Sequence, residues 1–284
     1  MAEIISGKIV SAEVRKRISS ETKDFIQKTG ITPALAVILV GDDPASAVYV
    51  RNKHKGCLEV GIKSIEITMP TETTEEQLLC KIDELNADPS VSGILVQLPL
   101  PKHISEEKVI NRISPNKDVD AFHPVNVGKI TIGNYDFLPC TPAGVMELLS
   151  YYNIAIEGKE CVVLGRSNIV GKPMALLLLA KNGTVTVCHS RTKNLAEMTR
   201  RADILVVAIG KERFVSADMV KDGAVVIDVG INRTADGKLC GDVDFDAVSK
   251  KASFITPVPG GVGPMTITML LNNTLIAAKK QANI

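Results

Sequence analysis

The sequence lacks the features that would send it to a membrane, to nucleic acid or to a metal. No apolar run approaches the roughly 20 residues that span a bilayer. The amino-terminal MAEIISGKIV carries Glu3 where a secretory signal has basic charge ahead of a long apolar core. A soluble, cytoplasmic chain is the expectation. Lysine and arginine number 33 against 32 aspartates and glutamates, a formal charge of +1. No whole-molecule field would therefore gather nucleic acid or anionic lipid, which favours a small-molecule partner. The six cysteines (Cys57, Cys80, Cys140, Cys161, Cys188 and Cys240) are scattered, with no C-x-x-C pair and no histidine at zinc-ligand spacing. Reduced thiols and no bound metal follow. Low-complexity tracts and repeats are missing too, and 284 residues with 45% hydrophobic content can bury a real core.

The order of elements is that of an α/β protein. Residues 7–29 place Ile9, Val10, Val14, Ile18, Phe25 and Ile26 mainly on one helical face, and Gly30 ends the helix. ALAVILV (34–40) is a continuous apolar run of strand length, as a strand buried on both faces requires. Asp43 and Pro44 open a helix that Gly61 closes. A strand at 63–68, a helix at 74–87 and a strand at 92–98 complete βαβαβ. After an irregular, proline-rich middle the alternation restarts: strand 161–164, helix 171–181, strand 184–188, helix 193–200, strands 203–208 and 224–228. Two α/β domains with parallel sheets and a cleft between them are predicted. Residues 1–140 form the first and 141–264 the second, while a last helix (265–284) packs back on the first.

The turn after the strand at 161–164 reads GRSNIVG, so Gly-x-Ser-x-x-x-Gly stands where a dinucleotide fold usually has Gly-x-Gly-x-x-Gly. A pyrophosphate needs only backbone N–H groups, a helix N-terminus and side chains that stay clear. Gly165, Ser167 and Gly171 meet that need, although an ordinary tight turn would read the same. The next strand shifts the balance. An NAD enzyme places an acid at its tip to hold the ribose 2′-hydroxyl, yet there is no acid anywhere between Glu160 and Glu197. Ser190, Arg191 and Arg166 stand there instead, and these are donors for a 2′-phosphate. The predicted cofactor is NADP, bound by a Rossmann-like second domain, with His189 close to that phosphate.

In the first half, Tyr49 and Lys53 are four apart and share a helix face, either as a solvated pair or as part of a site. Gln97 ends a buried strand, where the ligand crevices of α/β sheets lie. Asp118 and Asp120 follow in a loop and suit either turn chemistry or binding. His54, His103 and His123 read as surface or structural.

Six stretches in order, YVRNK, GILVQLPLP, KDVDAFHPVN, PCTPAG, GRSNIVGKPMA and ITPVPGGVGPMT, give the chain its resemblance to the bifunctional methylenetetrahydrofolate dehydrogenase/methenyltetrahydrofolate cyclohydrolase (FolD-like) family. The resemblance implies oxidation of 5,10-methylenetetrahydrofolate with NADP+, then hydrolysis to 10-formyltetrahydrofolate, in one-carbon metabolism and purine biosynthesis. It makes Lys53 the general acid/base, with Gln97 holding its amine and Tyr49 stacking on the aminobenzoate. Asp120 would accept hydrogen bonds from the pterin. Pro259, Gly260 and Gly261 would let backbone approach the substrate, and Ile231 would join Arg166, Ser167 and Ser190 at the cofactor. It also implies a homodimer. One departure stands out: Ala121 follows Asp120 where the family usually has glycine. The alternatives are an NADP-dependent dehydrogenase of another small substrate such as shikimate, with Lys53 as proton shuttle, and a nucleotide-sensing module without turnover.

Overall fold

The structure, a computed structural model, describes residues 1–284 apart from the side chains of residues 44 and 45. In chain order the elements are β1 (Glu3–Ile4), α1 (Gly7–Thr29), β2 (Ala34–Val40), α2 (Pro44–Val60), β3 (Lys63–Met69), α3 (Glu75–Ala87), β4 (Gly93–Val96), α4 (Glu106–Arg112), α5 (Pro124–Thr131) and α6 (Cys140–Tyr151). They continue as β5 (Glu160–Leu164), α7 (Gly171–Ala180), β6 (Thr184–Cys188), α8 (Leu195–Thr199), β7 (Ile204–Val207), β8 (Val225–Asp228), β9 (Asn232–Arg233), β10 (Leu239–Cys240), α9 (Phe245–Val248), β11 (Phe254–Ile255) and α10 (Val262–Gln281). The chain divides into two compact units, Glu13–Cys140 with Ile267–Ile284, and Met1–Ala12 with Thr141–Thr266.

The first of these units is built on a parallel sheet in the order β3-β2-β4. Every residue of β2 is buried, which is why its sequence is apolar throughout rather than alternating. Ile38 of β2 aligns with Val96 of β4, and both pack with Leu78 and Ile82 of α3 and with Val109 of α4. Burying each such side chain contributes about 1.5–3 kcal/mol. The free edge of β4 is covered by a loop rather than a strand. Ile94 N–H donates to Lys117 O at 2.8 Å, and Ile94 and Asp118 form an isolated parallel bridge. Gly93 makes the approach possible, because a Cβ there would lie 2.5 Å from Val119 Cγ1.

The other unit has a six-stranded sheet, β1-β11-β8-β7-β5-β6, and every pairing in it is parallel. The chain goes from β5 outward to β6, then crosses back to lay β7 on the other side of β5. The strand order therefore reverses between β5 and β7, where open α/β sheets hold their ligands beyond the carboxyl ends. Val162, Leu164, Leu205, Val207 and Val226 form the core on one face.

The first twelve residues group with the six-stranded unit rather than with the rest of residues 1–140. Glu3 and Ile4 pair with Phe254 and Ile255 of β11, so the amino terminus completes the six-stranded sheet. A two-residue edge strand carries no periodicity by which to assign it. Ile267–Ile284 count with the three-stranded unit, and α10 starts at Val262, ahead of Pro264. The proline-rich middle also holds two short helices that periodicity did not mark, α4 capped by Ser105 and α5 capped by His123.

Candidate active site

In the three-stranded unit, α2 starts where the Asp43 carboxylate accepts from Ser46 N–H at 2.7 Å. Its second and third turns carry Tyr49 and Lys53. Tyr49 is exposed, whereas Lys53 is half-buried and its Nζ donates to Gln97 Oε1 at 2.9 Å. Gln97 lies just beyond β4, and its other amide atom, Nε2, donates to Leu98 O at 2.6 Å. That second bond fixes the amide so that its oxygen faces the amine. Burial lowers the Lys53 pKa below the ordinary lysine value of 10.5, against the upward pull of the Asp120 carboxylate. Asp120 shifts the other way: burial raises its pKa, against the downward pull of Lys53. Desolvation outweighs mutual attraction at both groups, which shifts the lysine toward its neutral form and the aspartate toward its protonated one.

Asp120 owes its place to the residues around it. The neighbouring Asp118 is buried and accepts from His123 N–H and Asn126 Nδ2, each at 2.8 Å, which closes the loop on itself. Lys117 Nζ anchors the same loop by donating to Leu85 O at 2.9 Å and Asp88 O at 2.6 Å. Asn273 of α10 holds it from another side, its Nδ2 donating to Val119 O and Leu138 O at 2.8 Å each. Among the described residues, the Asp120 carboxylate receives a hydrogen bond from Cys140 Sγ alone, a weak donor at 3.5 Å. Ala121 sits at φ +58°, in the left-handed region that favours glycine. Asn273 and Cys140 escaped the sequence reading. A pair of asparagines in the largely apolar MLLNNTLIAA was the available signal for the first, and the thiol offered none.

In the six-stranded unit, Gly165, Arg166, His189, Ser190, Ile209, Lys211 and Phe214 are among the residues lining a cavity of about 270 Å³ at the reversal between β5 and β7. Gly165 is required at its position, since it has φ +131° and a Cβ there would meet Ala208 O at 2.2 Å. Ser167 Oγ accepts from Val170 N–H (3.2 Å) and Gly171 N–H (3.3 Å), capping the start of α7 while its own proton stays available. His189 Nδ1 accepts from Arg191 N–H at 3.1 Å and shapes the turn after β6. Arg191 is exposed and does not line the cavity, nor does Ile231, which is 48% exposed. Ile231 lies instead next to the start of α10, with its Cδ1 3.9 Å from where a Cβ on Gly263 would be. Pro259, Gly260 and Gly261 belong to this unit as well. Lys8 N–H donates to Gly260 O at 3.2 Å, and Gly260 takes φ +106°.

The other histidines have local partners: His54 Nδ1 with Glu66 at 2.7 Å, His103 Nε2 with Thr73 O at 2.9 Å, and His123 Nδ1 with Val125 N–H at 3.1 Å. Two buried aspartates that the sequence reading passed over, Asp228 at the end of β8 and Asp242 after β10, gather backbone N–H groups beside the cavity. Asp228 accepts from Gly230, Asp242 and Val243 N–H at 2.9–3.0 Å, and burial pushes its pKa up to about 7.

The cavity suits a phosphorylated dinucleotide. Arg166, Lys211 and Ser190 offer two cations and a hydroxyl, Leu164, Leu195, Ala208, Ile209 and Phe214 supply apolar wall, and no carboxylate is among the described lining residues. Comparison with known families decides what this arrangement belongs to. Residues 5–120 match the tetrahydrofolate dehydrogenase/cyclohydrolase catalytic domain, and residues 139–282 match the NAD(P)-binding domain of the same family. The chain belongs to the tetrahydrofolate dehydrogenase/cyclohydrolase family. It is 62% identical over 283 residues to the bifunctional protein FolD of Acetivibrio thermocellus, covering 100% of this chain and 99% of that one. Among solved structures, it is similar to the FolD methylenetetrahydrofolate dehydrogenase/cyclohydrolase of Campylobacter jejuni, with TM-score 0.96, 52% identity and 99% of each chain covered. The Trypanosoma brucei enzyme, solved with NADP cofactor and inhibitor, is 40% identical with TM-score 0.96, covering 100% of this chain and 99% of that one. Membership in this family removes the shikimate-type dehydrogenase and the sensing module as alternatives.

Proposed function

We propose that Lys53, Gln97, Tyr49 and Asp120 form the folate site at which this chain carries out both reactions of its family. The chain is a bifunctional enzyme of one-carbon metabolism. It oxidises 5,10-methylenetetrahydrofolate to the methenyl form with NADP, then hydrolyses that product to 10-formyltetrahydrofolate. NADP+ supplies the hydride acceptor. The oxidised carbon becomes a cation delocalised over two nitrogens, so this step asks the protein for positioning more than for a base. Asp120 anchors the pterin by accepting from its amino and ring N–H groups, and Tyr49 offers its ring to the aminobenzoate. Pro259, Gly260 and Gly261 provide backbone that substrate approaches without side-chain interference. Gly165, Arg166, Ser167, Gly171 and Ser190 hold the cofactor, with Arg191 and Ile231 at the margin of its site.

Hydrolysis does require proton movement, and Lys53 carries it. The neutral amine accepts a proton from water as the oxygen bonds to the methenyl carbon. The resulting ammonium returns a proton to the ring nitrogen as the C–N bond breaks, and the hydroxyl proton leaves as the formyl group forms. The observation that carries this role is the half-buried Lys53 Nζ, held 2.9 Å from Gln97 Oε1 with its pKa lowered by burial. Incubation with methylenetetrahydrofolate and NADP+ tests it: methenyltetrahydrofolate absorbance should rise and then decay, with kcat/KM favouring NADP+ over NAD+. No turnover, or equal use of the two cofactors, would refute the assignment.

A homodimer in the cytoplasm completes the proposal. Its support is the edge strand β6, whose Thr184 and Val187 are exposed with one side unpaired, and six free cysteines. Among the described residues no helix is long and apolar enough to cross a membrane. A monomer in sedimentation equilibrium would remove the dimer.

A further inference from the structure

Beside the cavity lies a carboxylate with no capacity left for a ligand. Asp242 is fully buried. Its Oδ2 accepts from Ile209 N–H at 2.7 Å and Gly210 N–H at 3.0 Å, and its Oδ1 accepts from Lys211 N–H at 2.8 Å and Asn232 Nδ2 at 2.9 Å. Four donors fill the acceptor positions of a carboxylate. Three of them are successive backbone groups of the segment that follows β7, an arrangement that elsewhere forms a nest for a bound anion. Here the protein fills the nest with its own side chain. Ile209 and Lys211, two residues of that segment, line the cavity together with Arg166 and Ser190.

We propose that Asp242 is a positioning residue for the cofactor, one that sets the Ile209–Lys211 wall of the cavity and so governs NADP binding without touching NADP. The proposal rests on the assignment of this cavity to NADP. The segment has just left the sheet, so its N–H groups have no ladder to satisfy them, and one buried anion supplies all three acceptors. The space for it is reserved: a Cβ on Gly230 would stand 2.2 Å from Asp242 Cγ. The position is also held from behind, where Asp242 N–H donates to Asp228 Oδ1 at 3.0 Å.

Asp242→Asn keeps the shape but turns one acceptor oxygen into a donor facing N–H groups. The wall loses one tie if Oδ1 is replaced or two if Oδ2 is, and gains a repulsion either way, while Lys53, Gln97, Tyr49 and Asp120 in the other unit keep every contact described for them. The expected result is a KM for NADP+ raised about tenfold or more with a smaller change in kcat, while hydrolysis of supplied methenyltetrahydrofolate stays within about twofold. A merely structural role would lower both activities together through loss of folded protein. Ser190→Ala, assayed alongside, separates the two ideas. If Ser190→Ala raises the NADP+ KM and Asp242→Asn does not, the positioning role is wrong; if neither does, the cavity is not the NADP site. Should Asp242→Asn fail to fold, Asn232→Ala removes a single bond to Oδ1 and decides instead. A rise in the NADP+ KM of about threefold with cyclohydrolase intact supports the role, and an unchanged KM overturns it.

Discussion

Each unit holds a pair of aspartates, Asp228 and Asp242 in one and Asp118 and the half-buried Asp120 in the other, and the two pairs are satisfied differently. Asp228 and Asp242 accept seven hydrogen bonds between them, six from backbone N–H groups and one from Asn232. In the three-stranded unit Asp118 is likewise consumed by its loop, but among the described residues Asp120 has only a distant thiol and the attraction of Lys53. A buried acceptor left unpaired costs on the order of 1–3 kcal/mol, more when charged. The protein therefore spends satisfied carboxylates on shaping backbone and keeps an unsatisfied one where a ligand can complete it. Lys53 follows the same logic, its pKa lowered by burial and its amine tied to one amide oxygen.

The largest expected effect tests that pairing at Lys53. Lys53→Met keeps the length and packing of the side chain and removes the amine. Cyclohydrolase activity should fall by about two orders of magnitude or more, the scale of a removed general acid/base, while NADP+-dependent oxidation stays measurable and methenyltetrahydrofolate accumulates. A mutant that hydrolyses methenyltetrahydrofolate at the unmutated rate would place Lys53 among ordinary surface lysines.

Asp120→Ala should come next. Loss of charge-assisted bonds to the pterin predicts a folate KM, or loss of kcat/KM, changed by about tenfold or more in both activities, with NADP+ affinity unchanged. The same substitution at Asp118 should act through loop stability and appear in the melting curve. If Asp118→Ala and Asp120→Ala prove alike in melting temperature and in KM, the distinction between a shaping and a reserved carboxylate collapses.

A smaller effect separates Asp228 from carboxylates that pair with lysine. Its folded pKa of about 7 lies above the unfolded value near 3.9. The folded state thus retains a proton that the unfolded state has lost. The associated stability is full below about pH 4 and disappears as pH rises through about 7. Asp203 has the opposite sign, because the hydrogen bond from Lys221 holds its pKa below the usual range; its stability is present at neutral pH and lost on acidification. The melting-temperature difference between the unmutated protein and Asp228→Asn should therefore shrink by a few degrees from about pH 4 to about pH 7. A difference that stays flat or widens would mean that Asp228 is ionised throughout.

How much of this was legible in the sequence depended on range. β2 announced itself because burial on both faces demands seven apolar residues in a row, and the Tyr49–Lys53 spacing and the strand-end Gln97 were readable for the same local reason. The acid-free stretch after β5 pointed to a phosphorylated cofactor because charge is written directly in residue types. β1 was not legible, since its two residues have meaning only beside β11. Nor were Asp228 and Asp242, whose role comes from donors 2 to 33 residues away in sequence. A run such as GDVDF looks like any turn until those N–H groups converge on it.

Ala121 gives the smallest effect and the finest test of the comparison, because it asks what holds Asp120 still. At φ +58° an alanine costs roughly 1–2 kcal/mol relative to right-handed backbone, and glycine would relieve that. Two terms oppose the gain. Glycine loses about 0.5–1 kcal/mol more in conformational entropy, and removing a fully buried methyl forfeits about 0.8 kcal/mol. The terms nearly cancel, so Ala121→Gly should shift the melting temperature by no more than a few degrees. The decisive readout is the folate KM. Asp118 ties the loop to His123 and Asn126, and Asn273 ties Val119 to α10, so the position of Asp120 is overdetermined before residue 121 contributes. The KM should stay within about twofold. A drop of about fivefold or more would show that the methyl displaces Asp120 and that the loop's hydrogen bonds do not by themselves set the reserved carboxylate.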